Sequence, residues 1–152
     1  MSSSFVFNSA SPRFGLPFLY PGQAQKEVWV NEAHARTDAL LHCAVEGAAI
    51  EPPSEPVEGE CWLVASDALG DWVGRDGSIA CHEGGSWLFV TPRDGMRILD
   101  RSTGQEKRFF DTWKFPMVPL EPSGGTVVDV EARAALGELI AALRLSGAFP
   151  TE

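Results

Sequence analysis

The sequence predicts an α+β fold that is mainly β: a small antiparallel β-meander or partly open barrel rich in Trp and Gly, with an N-terminal helix and a C-terminal amphipathic helix. Three observations carry this expectation. Between residues 59 and 95 the apolar segments Cys61-Trp62-Leu63-Val64, Ile79-Ala80-Cys81 and Trp87-Leu88-Phe89-Val90 are separated by Asp-Gly, Gly-Gly and Pro punctuation, the pattern of short strands joined by tight turns. Trp62, Trp72 and Trp87 fall in that same stretch, and an indole is large and rigid enough for a few to fill the core of a small sheet. Helical periodicity occurs only on either side of it.

At 152 residues the chain is one domain's worth and large enough to bury about 70% of its unfolded surface. Its formal charge is -9, with 21 acidic against 12 basic residues and no basic run, so no field favours a phosphate backbone and nucleic acid is not an expected partner. No apolar run approaches the ~18 residues that span a bilayer, and the Ser-rich start lacks the basic and apolar regions of a secretory signal. The expectation is a soluble chain, cytoplasmic when made, without Sec export or membrane insertion.

Three cysteines, Cys43, Cys61 and Cys81, cannot all pair within the chain and none stands in a Cys-x-x-Cys spacing, which predicts reduced, buried, apolar thiols. The pairs His42-Cys43 and Cys81-His82 raise the alternative of a Cys2His2 zinc site. Adjacent residues on a strand point to opposite faces, which disfavours it, so neither a metal nor another cofactor is expected.

Taken in order, residues 1–13 read as a flexible arm whose Phe5-Val6-Phe7 triplet could add to a neighbouring sheet edge. Residues 14–115 form the helix-plus-meander domain. Pro17 and Pro21 keep its start extended, and the periodicity of Trp29, Ala33, Leu40 and Ala44 predicts a helix over about 32–43 with Asn31 as its N-cap. His34 and His42 lack partners at fixed spacing and read as solvated or capping residues. Residues 46–58, with three prolines and four glutamates, read as a surface connector. Beyond Pro92 a further hairpin is expected from Met96-Arg97-Ile98-Leu99 and Lys107-Arg108-Phe109-Phe110, with Trp113 and Phe115 closing one end of the sheet. Residues 116–128 form a Pro/Gly linker hinged at Gly124-Gly125.

The last element is a helix over 129–147. Asp129 is its cap, Glu131 sits favourably in its first turn, and Gly147 stands at its C-terminal boundary. Ala132, Leu136, Leu139 and Leu143 recur at helical spacing, with Ile140 widening the stripe. An isolated helix of this length is marginal in water, so something must cover that face. It packs either on its own sheet or against copies of itself, and Leu136, Leu139, Ile140 and Leu143 are the candidate interface in the second case.

No Gly-x-Ser-x-Gly, His-Glu-x-x-His or glycine-rich phosphate loop occurs, so no catalytic residue is assigned and an enzyme is not expected. Two other readings have residues to support them. A saccharide-binding face could use Trp72 or Trp87 to stack on a sugar ring while Asp71, Asp76 or Glu83 takes its hydroxyls. A wall or capsule hydrolase would need two of Glu60, Asp67, Asp71, Asp76 and Glu83 about 5–9 Å apart in a cleft. Exposure of Trp72 discriminates the first, because a buried indole cannot stack on a ligand.

The string QAQKEVWVNEAHARTDAL resembles the Gln-Ala-Gln-Lys-(His/Glu)-Val-(Thr)-x-Asn-Glu-Ala-Leu-x-x-x-Asp pattern near the amino end of a family of phage-like tail-fibre and gene-transfer-agent proteins of alphaproteobacteria, a family defined by a domain of unknown function. The lead-in FGLPFLYPG, the run GECWLVASDALGDWVGRDGSIACHEGGSWLFVTPRDGM and the tail VVDVEARAALGELIAALRLSGAF are similar to that family's other segments, so the resemblance spans about residues 14–147. Trp29, His34 and Cys61 depart from its usual residues. The resemblance implies a structural part of a virion-like particle, a fibre, spike or attachment piece, in contact with other particle proteins. It also implies host-surface carbohydrate as the ligand class, and a homo-oligomer of three copies, or of five at a capsid vertex.

Overall fold

A computed structural model describes residues 16–19, 22, 24–120, 123–125 and 129–151, so the arm over 1–13 and part of the linker lie outside the described residues. The architecture is α+β and mainly β: two helices and two four-stranded sheets, with no closed barrel. Helix α1 is Lys26–Leu40, followed by β1 (Ala44–Val45), β2 (Ala48–Ala49), β3 (Cys61–Val64), β4 (Ile79–Glu83), β5 (Ser86–Val90), β6 (Arg97–Asp100), β7 (Gln105–Phe110), β8 (Thr112–Lys114) and helix α2, Val130–Leu145.

One sheet has the order β1-β6-β7-β8 and the other β2-β3-β4-β5. Most pairs are antiparallel, as the turn chemistry predicts. The β1–β6 and β2–β3 pairs are parallel, so both sheets are mixed. The cause is that the chain over 43–49 serves both sheets. Its first half accepts from β6 (Leu99 N to Cys43 O, 3.0 Å; Arg101 N to Val45 O, 2.9 Å), and its second half pairs with β3 (Leu63 N to Gly47 O, 2.9 Å; Ala65 N to Ala49 O, 2.8 Å). The connector expected over 46–58 therefore begins as strand.

The same pairing corrects the first helix. Asn31 is not its cap but lies inside it, since the helix starts at Lys26 after Gln25, which has a left-handed backbone (φ 52) and donates no side-chain cap. It ends at Leu40, because Leu41 turns extended and lets Cys43 reach β6. Strand pairing outcompetes the helical spacing of Ala44. Helix α1 buries no residue fully; Ala39 and Leu40 at its end pack against the inner core, and Arg36, which binds Glu32 at 2.9 Å, donates to the Phe89 carbonyl at 3.2 Å.

Period-2 alternation sorts the side chains of the sheets. Cys61, Leu63, Ile79, Cys81 and Val90 point inward with Val45, Met96 and Ile98 into one core, closed by Phe109 and Trp113. Trp113 also donates its indole N–H to the Gly77 carbonyl at 2.8 Å, tying β8 to the entry of β4. Phe115, expected beside it, is exposed. On the outer face of the second sheet, Val64 and Ala80 are covered by the loop over 65–77, which brings Ala68 and, from a short 3-10 turn (Gly70–Trp72), Trp72 down onto them.

Helix α2 matches its expected start and stop. The Asp129 carboxylate accepts the Ala132 N–H at 2.8 Å, and Gly147 takes a positive φ of 73 beyond its end. Residues after it return to the body. Gly147 O accepts from Glu106 N (2.8 Å), Thr103 O from Thr151 N (2.8 Å), and Phe149 is buried. Gln105 Nε2 donates to both Pro116 O and Ala148 O at 2.7 Å, so the linker departs from the point to which the helix returns.

Beside that junction lies the one buried ion pair among the described residues, Lys107 Nζ to Asp100 Oδ2 at 2.6 Å. Burial pushes the Asp100 carboxyl up, and the Lys107 ammonium with the Ser102 hydroxyl and N–H outweighs it, so the group is held below the usual aspartate value. A depressed folded value means that the contribution is complete above about pH 4 and is lost as the pH falls through the folded value. Lys107→Met leaves Asp100 charged and unpaired, and is expected to cost about 3–5 kcal/mol at neutral pH by denaturant unfolding. The gap to the wild type should close as the pH is lowered and Asp100 protonates.

Candidate functional site

The five residues with a candidate saccharide role do not converge. Trp72 is fully buried (0% exposed), edge-on to Trp87 with centroids 5.1 Å apart and planes at 85°. An indole with no accessible face has none to offer a sugar, so the stacking role considered for Trp72 is corrected to a core role. Its burial follows from the loop over 65–77 folding back, where Leu69 N donates to the Ile50 carbonyl at 2.7 Å. Asp76 is occupied in holding that loop, accepting the Asp67 and Ala68 N–H groups, each at 3.2 Å. Asp71 is exposed on the 3-10 turn.

Trp87 and Glu83 do come together. They line a groove of about 290 Å³ between α1 and the β4–β5 hairpin, with Asn31, Glu32, Ser86 and Leu88. Trp87 is half-buried and Glu83 exposed. The hairpin is set by Gly84 and Gly85, both at positive φ (59 and 73), whose N–H groups donate to the Glu58 carboxylate at 2.8 and 3.0 Å. These two bonds hold the Glu58 carboxyl below its ordinary value. In the sequence Asn31 has only a capping role, and no ligand role falls to Glu32 or Ser86. Ser86 adjoins Trp87 in sequence, but only the docking of α1 beside β5 brings Asn31 and Glu32 to Trp87, and no local spacing encodes that.

A second cleft, about 590 Å³, opens between the two sheets over Leu63, Phe109 and Trp113, with Asp76, Thr91 and Asp111 near its mouth. Of the other carboxylates considered for hydrolysis, Glu60 accepts the Trp62 indole N–H at 3.1 Å and Asp67 is exposed at a positive φ of 59.

All three cysteines are free and buried in the inner core. Cys61 stands directly across from Cys81, while His82 lies on the opposite face of β4 against Trp87 and His42 is exposed. Cys81 and His82 thus point to opposite faces of β4, as strand geometry requires, His42 lies on a turn with a positive φ of 54, and no group of three potential ligands assembles among the described residues. Burial, then the neighbouring Cys61, pushes the Cys43 thiol up to about 12. The Cys61–Cys81 hydrogen bond and burial push Cys81 up as well.

On α2, Leu136 (47% exposed) and Leu139 (55%) face away from the body. Ile140 is buried within its own chain and Leu143 is half-buried, so Ile140 anchors the helix and is not part of a free surface.

A family described as a protein of unknown function (DUF2793) matches residues 30–114, which takes in most of α1 and all eight strands. No curated protein matches the chain.

Two outcomes test the core assignment. Trp72→Ala should cost about 3–5 kcal/mol in denaturant unfolding, the range for truncating a buried aromatic. The three thiols should react with Ellman's reagent only as fast as the protein unfolds, because all three are buried and the reagent has no access to them in the folded state. Rapid reaction of any one would show that the inner core opens locally.

Proposed function

The chain belongs to the DUF2793 family of proteins of unknown function, and from that premise we propose that it is a structural, non-enzymatic component of a phage-like or gene-transfer-agent particle, assembled through α2. The observation that carries the assembly is the composition of that helix against its exposure. Of the residues Val130–Leu145 only Glu131, Arg133, Glu138 and Arg144 are charged, yet only Ile140 is buried. A helix apolar nearly all round is normally covered, and here Val130, Leu136 and Leu139 are not. Ala135, Gly137 and Ala142 beside the leucine stripe leave room for close approach of an equivalent helix, and a methyl group on Gly137 would meet no atom within 4 Å of the same chain.

The particle assignment, to a tail fibre, spike or attachment piece, rests on the resemblance of the Gln-Ala-Gln-Lys string and the tryptophan-glycine meander. Three copies are the expected number, with five as the alternative. The non-enzymatic reading is supported by the tasks already taken by the carboxylates: Asp76 holds a loop and Glu60 orients Trp62. Contact with host-surface carbohydrate is a secondary reading, favoured at the α1–hairpin groove by the meeting of Trp87, Glu83, Asn31 and Ser86.

Light scattering of the purified chain tests the assembly. The wild type should run as a stable trimer or pentamer, and Leu136→Asp with Leu139→Asp should reduce the mass to that of a monomer without loss of helical circular dichroism. A wild-type monomer at every concentration would overturn the reading.

A further inference from the structure

The sequence has no run of basic residues, but the strand registers assemble one. Arg97 on β6 is the direct partner of Arg108 on β7, and Arg108 is the direct partner of Lys114 on β8. Their neighbours Ile98, Lys107, Phe109 and Trp113 face inward, so all three cations stand in one row on the outer face of the first sheet, and all three are exposed. Like charges placed directly opposite on adjacent strands are destabilising. The compensation is slight: Arg97 meets Glu106 only at 3.5 Å, and neither Arg108 nor Lys114 has an ion-pair partner among the described residues. Exposed Leu99 (42%) and Phe110 (53%) share the face.

The opposite pole of the molecule has the opposite charge. Residues 37–74 hold eight acidic residues and no Lys or Arg. The layer that covers the outer face of the second sheet is built largely from this stretch, and its loop also carries Arg75, whose guanidinium packs 4.9 Å over the Phe89 ring as the one cation among these carboxylates. The loop carrying Asp67 and Asp71 is bonded to the connector carrying Glu51 and Glu55 through Leu69 N to Ile50 O at 2.7 Å. All four carboxylates are exposed, and none is ion-paired among the described residues. Pro52, Pro53 and Pro56 restrict the connector, so less order would be lost in docking it.

We infer that the basic row of one copy, Arg97-Arg108-Lys114, docks on the acidic layer around Glu51, Glu55, Asp67 and Asp71 of a second copy of this chain. The two surfaces lie on opposite sides of a two-sheet body, so the contact is heterologous: each copy keeps one surface free for the next, and copies add head to tail into a row or a ring. This deepens the structural reading above and rests on it only in that copies meet. The α2 contact is apolar and the new one is electrostatic, so their salt dependence separates them.

Sedimentation velocity tests it at about 0.01 M and about 1 M salt, between which the screening length falls from about 30 Å to about 3 Å. The wild type should form species larger than the α2-dependent oligomer at low salt and return to that oligomer at high salt. R108E/K114E and E51K/D71K should each lose the low-salt growth while keeping the high-salt mass, and an equimolar mixture of the two should regain it, because each restores the charge its partner lacks. Loss of the high-salt oligomer alone would count against α2 and leave this contact standing. Absence of low-salt growth in the wild type, growth unchanged in either variant, or failure of the mixture would overturn it. So would binding of single-stranded DNA or of polygalacturonate to the row, lost in R108E/K114E, in a wild type that shows no salt-dependent growth.

Discussion

Everything in this fold depends on one short run of backbone that is hydrogen-bonded on behalf of two sheets. Residues 43–45 pair with β6, and the chain then turns through Glu46 and Gly47 and pairs with β3. Gly47 is buried in that corner, where a methyl group would sit 3.4 Å from Ser102 Oγ and 3.8 Å from the Trp62 ring. A strand that switches sheets is a recognised way of making a corner between packed sheets. Here it brings the inward faces of both onto one core, in which Val45 from the corner touches residues of each sheet. Because the corner is shared, neither sheet can shift without the other, and the body between residues 43 and 114 acts as one unit.

That body is close to complete without either helix. Helix α1 buries no residue fully, and α2 buries only Ile140. What holds α2 in place is its tail: Phe149 is buried and Gln105 grips the chain at both Pro116 and Ala148. The buried Asp100–Lys107 pair sits beside the same junction. A rigid platform thus presents a helix on which Val130, Leu136 and Leu139 are exposed. The proposed assembly of copies would cover that surface.

Much of this was legible in the sequence, for a physical reason. Strands and tight turns are local: Cys61–Val64, Ile79–Glu83 and Ser86–Val90 are written in alternation and in Gly-Gly or Asp-Gly punctuation, and α2 is written in its cap, its dipole complement and its terminal glycine. Long-range pairing is not local. Ala44 continues the helical spacing of α1 yet belongs to β1, and Ala48-Ala49, in a Pro- and Glu-rich context, becomes β2 because β3 offers it hydrogen bonds. The same limit applied to candidate sites. Trp72 and Trp87 look alike in sequence, and only the fold-back of the 65–77 loop buries one and leaves the other half-open. The row of Arg97, Arg108 and Lys114 has no signal in sequence at all, since it exists only through two registers.

The account is tested most directly by amide hydrogen–deuterium exchange of the full chain as a function of its concentration. Amides of the corner and its partners, Glu46, Leu63, Ala65 and Leu99, should exchange slowly and at the same rate at every concentration, while those of α2 should be weakly protected in dilute solution and gain protection as copies meet. Protection of α2 equal to that of the corner and independent of concentration would place the helix in the core of its own chain and contradict the assembly.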